Sequence, residues 1–184
     1  MKREHHLVNN LCFIVTFIKI TSGEICYGAE FSEDVVGCPD FENEYLICDT
    51  LRLGMVEGKE AELGLNGVIE VFSDIDEGAE MGLEIWKITD IGKEFLYHMQ
   101  GSICENLKNE AAPWYPMIQS MKIYDCPIVP DKYIIKDMSI SLNNSKDMMN
   151  HELIGEYMID MILLKDLKKV SCYQLGVTVT EYDC

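Results

Sequence analysis

The chain has 184 residues, 48% of them hydrophobic, and sets 15 basic side chains against 32 acidic ones for a net charge of −17. That excess repels phosphate backbones and anionic membranes, which excludes nucleic acid as a partner. An acidic surface keeps a protein soluble in a concentrated secretion and by itself names no partner.

Residues 1–23 read as a signal peptide. Lys2 and Arg3 give a basic start, Leu11 to Ile20 is an apolar run, and Thr21-Ser22-Gly23 supplies small residues before a cut at Glu24. The run is shorter than the roughly 20 residues that span a bilayer. No later segment reaches that length, so no transmembrane segment is expected, and no C-terminal apolar tail offers a lipid anchor. Cleavage removes Lys2, Arg3 and Lys19 against Glu4, which takes the net charge from −17 to −19. It leaves residues 24–184 as a single domain of ordinary size in a secreted, extracellular protein.

Strand signals dominate the mature chain. Tyr45 to Leu53 is a first candidate. Ala61 to Leu65 and Val68 to Phe72 flank Asn66-Gly67, a dipeptide suited to a two-residue hairpin turn. Leu83 to Ile88 alternates. In Ile134 to Leu142 the residues Ile134, Met138, Ile140 and Leu142 share one face, with Lys136 the exception, against Asp137, Ser139 and Ser141. Tyr157, Ile159, Met161 and Leu163 align, as do Tyr173, Leu175, Val177 and Val179. A period of two places each set on one side of a pleated sheet. The polar stretch Lys165 to Lys169 joins the last two strands as a hairpin. Ser102 to Asn109 and Lys146 to Ile154 have some helical character, the first running into Pro113 and Pro116. About eight or nine strands with spaced turns predict an all-β fold, a two-sheet sandwich.

Seven cysteines survive cleavage: Cys26, Cys38, Cys48, Cys104, Cys126, Cys172 and Cys184. In an oxidising compartment they form a disulfide framework, and no zinc-type spacing is present. Seven is odd, so one thiol stays free or joins two chains in a disulfide-linked dimer. Catalytic signals are weak. His98 and His151 are the mature histidines and read as solvated surface residues. There is no G-x-S-x-G elbow, phosphate loop or dinucleotide fingerprint. The acidic run Asp74 to Glu80 lacks the full calcium-loop pattern. No enzyme activity, cofactor or metal is expected. Asn143-Asn144-Ser145 is a glycosylation sequon, making Asn143 a surface site of a glycoprotein.

The C-terminal half resembles the lipid-recognition (ML) domain superfamily, in the branch similar to the ganglioside activator and its secreted arthropod relatives. The resemblance is carried by Cys104-Glu105-Asn106-Leu107, Pro113-Trp114-Tyr115-Pro116, Cys126-Pro127-Ile128 with Tyr133 to Lys136, Gly155-Glu156-Tyr157, and Cys172 opening the last strand. It covers roughly residues 81–184. It implies an immunoglobulin-like sandwich whose sheets are splayed around a lipid. It also implies that Cys104 pairs with Cys126, bracketing the loop that carries Trp114, and that Cys172 pairs with Cys38. Two departures stand out. Pro130-Asp131-Lys132 replaces a glycine turn, and the segment before Gly155 carries no proline.

Large or pliable apolar side chains are the expected lipid-binding residues: Trp86, Trp114, Tyr115, Met117, Met138 and Met158, with Met121 beside them. Methionine adapts to irregular ligands. Trp114-Tyr115, in a loop between two prolines, is expected at a cavity mouth or a membrane-touching edge. The leading expectation is a secreted, non-catalytic binding protein for a lipid or another small hydrophobic ligand. The alternative is a secreted interaction protein, a chemosensory, immune or venom component, with a filled core and a protein partner.

Overall fold

The computed structural model describes residues 25–32, 34–56, 63–140 and 151–183. The expected signal peptide, the sequon at Asn143 and Cys184 lie outside the described residues. Ten strands and one short helix appear within them: β1 (Ile25–Phe31), β2 (Val36–Gly37), β3 (Leu46–Ile47), β4 (Arg52–Met55), β5 (Leu63–Val71), β6 (Ala79–Thr89), β7 (Gly92–Ser102), α1 (Tyr115–Ser120), β8 (Asp131–Ile140), β9 (Gly155–Lys165) and β10 (Lys168–Asp183).

The strands form two antiparallel sheets. The larger runs β1-β10-β9-β6-β7, with β2 also on β10; the smaller runs β3-β5-β4, with β8 on β5. Alternating apolar residues on the facing sides meet in one core, so the architecture is the all-β sandwich that the period-two patterns predict. Asp166 and Leu167, both at positive φ, make the two-residue turn between β9 and β10.

Four local expectations are corrected. Asn66-Gly67 is not a hairpin turn: β5 runs straight through it, and the register against β8 shifts there, between Leu65 and Gly67. Gly67 has φ +142, and a Cβ on it would collide with the Thr50 carbonyl, so the glycine is required by a crossing chain rather than by a turn. Asn66 Oδ1 accepts the Asp137 N–H at 2.8 Å, which seats the bulge.

That bulge also corrects the faces of β8. Asp137 sits at φ 47. The extra residue changes the parity, so Ile135 is 2% exposed and Ile134 is 71% exposed. Met138 and Ile140 return to the inner face, and Lys136 ceases to be an exception.

The expected strand from Tyr45 to Leu53 is two short ones, β3 and β4, parted by a corner. There the Thr50 hydroxyl bonds both the N–H and the C=O of Val68. Finally, Ser102 to Asn109 forms turns instead of a helix. Asn106 Nδ2 donates to the Ser102 carbonyl, and Asn109 Oδ1 accepts the Ala111 N–H, so side chains compete with the helical backbone ladder. The helix lies downstream as α1, with Pro116 in its first turn, where a missing N–H costs nothing. Of the second expected helix, the described part is a short 3₁₀ turn at His151–Leu153.

Candidate functional site

Three rows of side chains cross the inner face of the larger sheet. Met81, Leu163 and Ser171 make one, Leu83, Met161 and Tyr173 the next, and Ile85, Ile159 and Leu175 the third. Opposite them stand Leu65, Ile69 and Val71 of β5 with Met138 and Ile140 of β8. The two faces do not close on each other. Between them lies a cavity of about 260 Å³, and it is lined almost wholly by apolar atoms from both sheets and from the segment leading into α1. An apolar cavity of about 150 Å³ stays dry and accepts benzene. A methylene group occupies roughly the 30 Å³ of a liquid water, so this cavity has room for about nine such groups.

The end wall is built by the loop from Cys104 to Cys126. Its bridge, with Cα atoms 5.8 Å apart, ties the loop to itself. The loop folds inward on buried Ile118, Met121 and Ile123, with Trp114 only 7% exposed. Gly101 on β7 makes room for the indole: a Cβ there would lie 3.3 Å from its Cη2 atom. On the far face of the sheet, Cys38 is bonded to Cys172, Cα to Cα 5.4 Å, and together with Ile162 they form a second small core. These are the two pairings the family resemblance implies. Cys26 is also disulfide-bonded.

The free thiol among the described residues is Cys48, buried on the cavity wall. Burial, helped by the neighbouring Asp49 carboxylate, pushes it up to about 12. It therefore stays protonated and shielded, a poor group for joining two chains. Its backbone N–H donates to the Tyr173 hydroxyl at 2.9 Å, and that hydroxyl donates to the Leu46 carbonyl at 3.3 Å. Burial likewise raises Tyr173 to about 12. The pair pins β3 and the corner after it to β10 across the sandwich.

The expected lipid-binding residues separate. Trp114, Met117, Met138 and Met121 line the cavity. Trp114 is a wall residue, buried in the core, and not a mouth or a membrane edge. The proline-flanked loop is packed inward by its disulfide. Tyr115 packs against the core without lining the cavity. Trp86 and Met158 do not reach it. They are cross-strand partners on the outer face of the larger sheet, where Trp86 meets Phe95 edge-to-face at 5.2 Å. Sequence reasoning missed Met81, Leu83, Ile159, Met161 and Leu163. Parity was the available signal, because Met161 belongs to the aligned set on β9 and Met158 does not.

Of the remaining chemistry-bearing groups, His98 Nδ1 lies 3.8 Å from Glu84 on the exposed outer face, and His151 Nδ1 lies 3.3 Å from Glu181. His98 stands within β7. In the acidic run, Asp76 accepts the Gly78 N–H at 2.9 Å and an ion pair from Lys165. That interaction holds its carboxyl below the usual carboxylate range. Among the described residues no group of three or more His, Cys, Asp and Glu side chains is placed to hold a metal. Nor is any helix among them long and apolar enough to cross a membrane. No family model matches this sequence, and comparison with curated proteins finds no match.

Proposed function

We propose that this protein is a secreted, non-catalytic carrier of a lipid or another small hydrophobic ligand. It would be a single ML-type domain spanning residues 24–184, glycosylated at Asn143. The observation that carries the reading is the apolar cavity of about 260 Å³ between the two sheets. Close packing fills ordinary cores to the density of organic crystals, so an apolar void of this size is a feature to be explained. Its walls include Met81, Met117, Met121, Met138 and Met161, unbranched side chains that re-pack around irregular shapes. The matched disulfide pairs support the family resemblance, and disulfides suit an oxidising, extracellular compartment. The alternative, an interaction protein, calls for a filled core, and the open cavity favours the carrier.

The test uses naphthylamine, a neutral fluorophore small enough for a cavity of this size, together with mass spectrometry of organic extracts of the secreted protein. Met161→Trp, which puts bulk into the cavity, is expected to weaken fluorophore binding at least about tenfold. Met158→Trp, three residues away on the other face, is expected to leave it unchanged. A protein that extracts ligand-free and binds no fluorophore sinks the proposal.

A further inference from the structure

We infer that the molecule held in the cavity is neutral and apolar with one hydrogen-bond acceptor oxygen, and that the indole N–H of Trp114 is the group that binds that oxygen. The inference rests on the carrier reading and adds to it the chemical class of the ligand. It comes from an inventory of the polar groups on the wall. Among the described lining residues, side-chain nitrogen and oxygen belong to Ser171, Tyr173 and Trp114.

Two of these groups are already used. The Ser171 hydroxyl accepts the Leu46 N–H at 3.2 Å and donates to the Val170 carbonyl at 2.8 Å. The Tyr173 hydroxyl accepts from Cys48 and donates to Leu46. Trp114 Nε1 is different. It is buried and has no hydrogen-bond partner. An N–H kept from water without an acceptor is costly, and the great majority of buried donors are paired. An acceptor brought in by the ligand removes that cost.

The same wall excludes other ligands. No lysine, arginine or histidine lines the cavity among the described residues. A carboxylate or phosphate would therefore be buried without a counter-charge, which is far more costly than an unpaired amide or hydroxyl. A hydrocarbon would fit but would leave the indole unpaired. A ketone, an ester, an ether or a neutral alcohol meets both conditions, provided that its buried part is no larger than about nine methylene-sized groups.

The experiment compares nonane with methyl heptyl ketone, a shape-matched pair, by displacement of naphthylamine from the wild type and from Trp114→Phe. The ratio of the two dissociation constants, alkane over ketone, is expected to fall about tenfold in the variant. If both ligands bind and the ratio is the same in both proteins, Trp114 does not bind the oxygen, and the carrier reading stands. If neither ligand binds the wild type, the carrier reading falls and this inference with it. A second measurement leaves Trp114 intact. The chain has two tryptophans, so in Trp86→Phe protein the single indole N–H resonance is that of Trp114. It is expected to move downfield with the ketone and to stay in place with nonane. An equal response to both overturns the inference.

Discussion

Met161 and Met158 stand three residues apart on β9, and they face different surroundings. Met161 lies between Leu83 and Tyr173 on the inner face and lines the cavity. Met158 lies between Trp86 and Gly176 on the outer face, with the exposed ring of Phe95 on the far side of Trp86. The two faces also hold together differently. The inner face is apolar and incompletely filled, with its hydroxyls pinned to β3. The outer face carries polar pairs such as Gln174 Nε2 to Asp160 Oδ1 at 2.8 Å, and a buried patch on it is stapled by Cys38–Cys172. Side-chain type alone therefore does not mark a ligand residue in a sheet. The parity of its position does.

The largest expected effect is on the outer face. Replacing both Cys38 and Cys172 by alanine opens a loop whose ends are 134 residues apart in sequence, and chain entropy puts the loss at about 5 kcal/mol. The same change at Cys104 and Cys126, 22 residues apart, is expected to cost about 3 kcal/mol. Urea unfolding of the two variants measures the difference, and equal losses would break the assignment of separate roles. Truncation sharpens the contrast of faces. Leu163→Ala, at a buried inner position, is expected to cost about 3 kcal/mol, and Met158→Ala less than about 1.5. Comparable values from the same unfolding assay would mean that both faces are core.

Gly67→Ala probes the smaller sheet. A left-handed φ and a blocked Cβ position together predict a loss of about 3 kcal/mol, read as a lowered melting temperature. Alkaline pH tests the pinned inner face. Cys48 and Tyr173 have ordinary values of 9.0 and 10.0, and both are raised to about 12 in the fold. Their folded values exceed their unfolded ones, so stability is intact below about pH 9 and is lost as pH rises from 9 towards 12. Cys48→Ala is expected to flatten that decline. The native thiol should resist a disulfide reagent at pH 8 and react once unfolded. The smallest effect lies at the end of the inner face, at Asp76–Lys165. Asp76 is lowered, so its contribution is present above the carboxylate range and is lost as pH falls through that range. Because the Asp76 carboxylate is half-exposed, Asp76→Asn is expected to cause only a small loss, confined to pH above that range, in a thermal scan.

Much of the cavity was legible in advance, but not as a set of residues. The alignment of Ile159, Met161 and Leu163, and that of Tyr173 and Leu175, can be read by eye, because a strand in a half-buried sheet must alternate. What hid the site was a preference for large or unusual side chains over position. That preference selected Trp86 and Met158 from the wrong face. Trp114 was selected for the right site on the wrong ground, since its loop looks exposed until the disulfide folds it inward. The polar wall was hidden as well. Ser171 and Tyr173 are exposed or buried according to partners some 125 residues away.

By itself the sequence determined the class of fold, because period-two patterning commits a chain to sheets whatever their partners. It also determined β6, β9 and β10 of the larger sheet and the hairpin that joins the last two, through local alternation and turn chemistry, but not β1, β2 or β7. Only the tertiary structure decided the rest. Asn66-Gly67 carries the local signature of a turn. A turn and a bulge both need a residue free to take positive φ, and what selects between them is the crossing backbone at Thr50. That bulge in turn sets which of Ile134 and Ile135 is buried. The cavity obeys the same rule. Each wall residue is an ordinary strand residue, and the void exists only because two faces, distant in sequence, meet without filling the space between them.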